Sequence, residues 1–262
     1  MNFFGDYHTH TRHAKRWWFP VKHAKGTLEE NVRAAAEQGL KEIGITDHGF
    51  NQGLFGTRRK TVKRLKEEAK ELSKKYNINI LIGVEANLIS LDGDIDVHPS
   101  DMEVLDFVIC GFHRVARATG LKHTFRLFFK TLVFAIIGQA KRLIERNTQI
   151  YIDMLNKNKI DVLVHPNTRP LPFLVDIVRV AEVAKQRGTL IEINCKSMFL
   201  TKPEVDKMVE TGVKFVVDTD SHRPERIGHF EAGEKVIRDY NIPEENISNL
   251  NKLPEFINYK RK

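Results

Sequence analysis

Short apolar runs that close on a polar residue, each followed by a stretch that suits a helix, recur seven times along this chain. They lie near residues 3–8, 42–46, 78–85, 107–111, 161–165, 190–194 and 214–218. Ile80-Leu-Ile-Gly-Val84 and Val162-Leu-Val164 are nearly free of polar groups. Such runs predict strands buried on both faces, as in parallel sheets covered by helices. The helical punctuation between them is readable. Thr27-Leu-Glu-Glu30 is a capping box, Val32, Ala35 and Ala36 share one face, and Gly39 stops the helix. Residues 60–76 are densely charged but carry Val62, Leu65, Ala69 and Leu72 as one stripe, which predicts an outer helix. A further helix is expected over 174–186, ending before Gly188. Strand–helix alternation of this kind builds a parallel sheet with right-handed crossovers.

Seven such units form either an open sheet or an incomplete barrel, and the strand ends favour the barrel. His8 and His10 follow the first run, His48 the second, and Glu85 ends the third. His113, His165 and the pair Asp220 and His222 close three later ones. These are the nitrogen and oxygen donors that borderline divalent metals take. In a parallel barrel all strand ends converge on one mouth, whereas an open sheet strings them along a line. Among the other histidines, His98, His123 and His229 read as ordinary polar groups.

Length and composition narrow the setting. At 262 residues, with 41% hydrophobic and 29% charged positions, the chain suits one soluble domain over 1–262. Its net charge of +8 favours anionic ligands without choosing among metabolites, nucleic acid and acidic lipid. Two cysteines, Cys110 and Cys195, end apolar runs and read as buried free thiols rather than a disulfide framework. The N-terminus turns polar too early for a signal peptide, so a cytoplasmic setting is expected.

In order, Asp6-Tyr-His-Thr-His-Thr11, Ile45-Thr-Asp-His-Gly49, Gly83-Val-Glu-Ala-Asn87, His165-Pro166 and Asp220-Ser-His222 match the motifs of the PHP family, the polymerase and histidinol phosphatase metal-dependent phosphoesterases. The resemblance runs from Asp6 to about Gly228. It implies a distorted (β/α)7 TIM-like barrel with two or three divalent ions in its mouth. By motif, His8, His10, Glu85 and Asp220 are expected to hold one metal. Glu85, His113 and His165 hold a second, with Glu85 bridging, and His23, His48 and His222 a third. His13 is the alternative to His23, whose spacing from the capping box suits the family better. Glu85, Asp220 and His222 are the expected catalytic members.

The resemblance implies hydrolysis of a small phosphomonoester, histidinol-phosphatase-like, by a metal-bridging hydroxide. Clustered ions lower the pKa of a bound water and neutralise phosphoryl charge. The imidazole-rich donor set suits Zn, Mn or Fe over Mg or Ca. Arg114, Arg169, Arg223 and Arg226 stand beside ligands in the sequence and are candidates to bind the phosphate bidentately. Asp47 is expected to orient a neighbouring ligand. Asn194, at the end of the sixth run, either touches substrate or closes the barrel. The rival readings are a phosphodiesterase or exonuclease on nucleotides or nucleic acid, and a non-catalytic metal-binding domain.

Two stretches interrupt the rhythm. Residues 12–25 carry Trp17, Trp18 and Phe19, which suit a lid or a packed loop. Residues 115–146 have an apolar centre flanked by Arg117, Lys122, Lys141 and Arg142. That centre is too short to span a bilayer. It suits a cap or a dimer contact first, and peripheral membrane contact through 124–142 second.

Overall fold

A computed structural model describes residues 1–13, 23–113, 140–167 and 174–261. Seven strands make one parallel sheet in chain order: β1 (Gly5–Asp6), β2 (Glu42–Ile45), β3 (Asn79–Asn87), β4 (Phe107–Gly111), β5 (Val162–Leu163), β6 (Leu190–Asn194) and β7 (Phe215–Asp218). Past β1 the backbone swings over to β7. The His10 N–H donates to Ser221 O at 2.8 Å, and the Ser221 N–H donates to His8 O at 3.0 Å. The sheet therefore curls into a nearly closed barrel, joined at the end where the strands finish. This is also why the first run, expected over 3–8, keeps only a two-residue ladder with β2.

The helices are α1 (Leu28–Glu37), α2 (Arg59–Tyr76), α3 (Ala140–Lys157), α4 (Ile177–Arg187), α5 (Lys202–Thr211) and α6 (Glu231–Tyr240) among the described residues. In α1 the expected capping box is present, with Glu30 N–H donating to Thr27 Oγ1 at 3.1 Å and Thr27 N–H donating to Glu30 Oε2 at 2.7 Å. Helix α2 buries the expected stripe of Val62, Leu65, Ala69 and Leu72. Helix α4 begins three residues later than the expected start at 174, because Asp176 takes the N-cap position and receives the Arg179 N–H. Helix α3 begins at Ala140, so the end of the segment marked as an insertion over 115–146 is its first turns. Residues 114–139, including the apolar centre of that segment, lie outside the described residues, as do Trp17, Trp18 and Phe19.

Strand pleating splits the core in two. Along β3, β4, β6 and β7, residues of one parity, such as Ile82, Val108, Ile191 and Val217, join the large cluster shared with the helices. The other parity supplies a smaller cluster that includes Tyr7, Leu81, Phe107, Leu190 and Val216. Alternate residues of a barrel strand face inward, so this smaller cluster fills the barrel. Following the inward parity toward the strand ends leads from Leu81 through Gly83 to Glu85, and from Leu190 to Glu192 and Asn194. The interior is thus apolar at its base and ionisable at its mouth.

The base is sealed by the chain after α6, which the sequence reading did not anticipate. Phe256 stacks on Phe107, with ring centroids 5.2 Å apart, and meets Tyr7 edge-on. Arg261 pairs with the fully buried Glu42 carboxylate, which also accepts the Tyr7 hydroxyl at 2.9 Å. A buried carboxylate without such partners would cost several kcal/mol.

Candidate metal centre

Glu85, inward-facing near the end of β3, is 1% exposed and lies at the centre of the mouth. Its Oε1 is 2.6 Å from His165 Nε2, 2.9 Å from His113 Nε2 and 3.3 Å from His8 Nε2. Its Oε2 is 2.6 Å from His48 Nδ1 and 3.6 Å from His10 Nε2. Asp220 Oδ1 is 3.6 Å from His10 Nε2, 3.8 Å from His8 Nε2 and 3.3 Å from His222 Nδ1. All nine expected ligands meet in one place, the ends of six strands or the loops that follow them each contributing, with His23 from the segment before α1.

The backbone accepts strain and close approach to assemble this group. His165 and Asp220 both take positive φ, 32° and 48°, a conformation that costs a residue other than glycine about 1–3 kcal/mol and clusters at functional sites. Gly111, at the end of β4, makes room for the His165 ring: a Cβ there would lie 2.6 Å from His165 Cε1.

On the other side of the mouth, His23 Nε2 lies 2.8 Å from His48 Nε2 and 2.8 Å from His222 Nε2. A single imidazole nitrogen either donates one proton or accepts at one lone pair. It cannot satisfy both contacts, whereas a cation receiving all three lone pairs would. His13, the alternative, does not line this pocket among the described residues. Burial, with His48 and His222 adding to it, takes His23 down to about 3. Burial also takes His222 down to about 4, despite Asp220. Both rings are therefore neutral near pH 7, with lone pairs to offer.

Elsewhere in the cluster the charges are held in place. Burial opposes ionisation of Glu85, but His113, His48 and His8 outweigh it and keep the carboxyl well below its ordinary range. Asp220 is likewise depressed against its burial, by His8 and His10. For His8 burial opposes charge, yet Glu192, Glu85 and Asp220 raise it well above the usual imidazole value. Glu85 Oε2, His8 Nε2 and both ring nitrogens of His10 are buried without a hydrogen-bond partner among the described residues. Buried polar atoms left in this state each cost about 1–3 kcal/mol. Orphaned donors of types that bind divalent metals, converging in one pocket, fit a metal centre.

Glu192 and Lys196 escaped the sequence reading. Glu192, inward on β6 and 1% exposed, accepts the His8 Nδ1–H at 2.6 Å and the His165 backbone N–H at 2.7 Å. It fixes the tautomer of one candidate ligand and the backbone of another, a common arrangement around metal-binding histidines. Its signal was a lone carboxylate inside Leu190-Ile-Glu-Ile-Asn194. Lys196 reaches Asp220 and His222 from the pocket wall. Asp47 accepts the Thr11 N–H at 2.6 Å and the Thr11 hydroxyl at 2.7 Å, so its carboxylate anchors the segment that carries His8 and His10.

The pocket over the centre measures about 310 Å³, and Gln52, Phe55, Phe112, Asn194, Ser197 and Phe199 complete its described wall. Arg223 and Arg226 are exposed and do not line that wall. Arg114 and Arg169 lie outside the described residues. His98 caps a 3-10 turn and His229 pairs with Glu231, as ordinary polar groups do; His123 lies outside the described residues. Both cysteines are free, Cys110 buried and Cys195 partly so.

A family profile described as PHP domain matches residues 6–196. A probable phosphatase of Caldanaerobacter subterraneus subsp. tengcongensis is 29% identical, over 98% of this chain and 92% of that protein. One from Aliivibrio fischeri is 30% identical, over 94% of this chain and 89% of its own length. Among solved structures, histidinol phosphate phosphatase of Lactococcus lactis, complexed with zinc, L-histidinol and phosphate, shares the fold. Its TM-score is 0.57 at 15% identity, covering 91% of this chain and 94% of that one.

Proposed function

The chain belongs to the PHP domain family, and on that premise we propose that it is a metal-dependent phosphatase hydrolysing a small phosphomonoester. The observation that carries this reading is Glu85, a buried carboxylate whose oxygens approach His8, His48, His113 and His165 within 3.3 Å. A carboxylate reaching several imidazoles from both oxygens is suited to joining two cations. In this reading His8, His10, Glu85 and Asp220 hold one ion, Glu85, His113 and His165 a second, and His23, His48 and His222 a third. Divalent ions bound there supply an activated water near neutral pH and neutralise charge on phosphoryl oxygens.

The protein's own groups do the rest. Glu192 would keep the Nδ1 proton on His8 when a cation displaces the proton from Nε2, leaving Nε2 to face the ion. Asp47, through Thr11, holds the His8–His10 segment in register. The buried floor leaves the ester only the open mouth as an approach. Arg114 and Arg169, which follow His113 and His165 in the sequence, are proposed to grip the substrate, a role for which Arg223 and Arg226, exposed and off the described pocket wall, are not placed. Full retention of the ligand set favours catalysis over a purely structural role.

The test is a panel of phosphomonoesters, histidinol phosphate among them, with phosphodiesters and short oligonucleotides, after reconstitution with Mn, Zn or Fe. The expected outcome is monoester turnover exceeding that on every diester. Faster degradation of oligonucleotides would overturn the reading in favour of a nuclease. Silence across the panel with metal bound would favour a binding role.

A further inference from the structure

Lys196 is the one lysine or arginine on the described wall of the pocket, and its position is built rather than incidental. Asn194, ending β6, accepts the backbone N–H groups of Lys196 and Ser197 at 2.9 Å each, while its own amide donates to Glu192 at 3.1 Å. This turn sends the Lys196 side chain over the mouth, where Nζ lies 3.2 Å from Asp220 Oδ2 and 3.2 Å from His222 Nδ1. Half of the side chain is still exposed. The ammonium thus stands between solvent and the ligand cluster.

Both of its partners are proposed metal ligands. A cation bound by Asp220 takes up the carboxylate charge that attracts Lys196, leaving the ammonium to seek another anion within reach. We infer that Lys196 grips a terminal oxygen of the phosphoryl group and thereby makes the site prefer phosphomonoesters over phosphodiesters. The inference rests on the proposed phosphatase reading and adds the residue that sets its substrate class. A phosphate monoester is close to doubly charged at neutral pH and presents three terminal oxygens. A diester has lost one of those oxygens, and its charge, to the second ester link. An ammonium beside a metal cluster therefore gains more from the monoester. Lysine suits the task because it acts as a compact point charge on a flexible stem.

The experiment compares the wild type with Lys196→Met and Lys196→Arg, all metal-loaded, with metal content checked by elemental analysis. Hydrolysis of p-nitrophenyl phosphate and bis-p-nitrophenyl phosphate is followed, and calorimetry measures binding of inorganic phosphate and of dimethyl phosphate. Lys196→Met is expected to lower monoester kcat/KM and phosphate affinity about 10- to 100-fold, the worth of a hydrogen bond between charged partners. Diester turnover and dimethyl phosphate binding change little, metal content is unchanged, and Lys196→Arg recovers most of the loss. Equal losses on both esters, loss of metal, or unaltered phosphate affinity would overturn the assignment. A wild type that binds metal and phosphate but turns over no ester counts against the phosphatase reading; the phosphate affinity of Lys196→Met still decides the role of Lys196.

Discussion

Glu192 shows how one side chain commits others to a task. Its carboxylate receives the His8 Nδ1–H at 2.6 Å and the His165 backbone N–H at 2.7 Å from inside an apolar strand. Replacing it with glutamine keeps the size but removes the charge that fixes the His8 tautomer. Glu192→Gln is expected to weaken metal binding about 10- to 100-fold, the usual cost of losing a partner behind a metal-bound histidine. Chelator competition reads this directly, and an affinity equal to that of the wild type would reduce Glu192 to a packing role. The candidate ligands were legible in the sequence because His, Glu and Asp are rare at the ends of apolar runs. Glu192 was not, because its signal is parity. It sits two residues before Asn194 and so shares the inward face, which becomes meaningful only once the strand is known to line a barrel. Asp47 was expected to orient a ligand, but which segment it holds was not legible, because its partner Thr11 lies 36 residues away in the chain.

At the scale of elements, local chemistry and distant chemistry were unequally readable. Capping boxes, glycine stops and apolar stripes act within a few residues, so α1 and the buried stripe of α2 could be read directly. Strands β4 and β6 match their expected ranges because every residue in them is buried. The pairing of the segment after β1 with Ser221 spans the whole chain, and nothing local announces it. Helix α1 also bears on the site, since Asn31 donates to His10 O at 2.9 Å. Thr27→Ala removes the hydroxyl that caps the helix and is expected to cost about 1 kcal/mol of stability. Thermal denaturation measures the loss. Turnover at saturating metal is expected to persist at low temperature, and its disappearance there would mean that the cap also sets the geometry of the site.

The whole molecule is polarised along the barrel axis. At one end Phe256, Tyr7 and Phe107 fill the interior and Arg261 neutralises Glu42; at the other, imidazoles and carboxylates gather with unsatisfied lone pairs. A barrel built this way spends its stability at the base and its strain at the mouth, where His165 and Asp220 adopt positive φ. No helix among the described residues is long and apolar enough to cross a membrane. The central claim is that the cluster around Glu85 binds divalent metal and thereby hydrolyses phosphomonoesters. The most direct test follows p-nitrophenyl phosphate hydrolysis while metal is removed with chelator and restored stepwise, with bound metal counted per chain, in the wild type and in His8→Ala. Turnover is expected to vanish with the metal, return in proportion to the metal rebound, and stay low in His8→Ala together with a reduced metal count. Hydrolysis that survives complete metal removal, or full activity and metal content in His8→Ala, would contradict it.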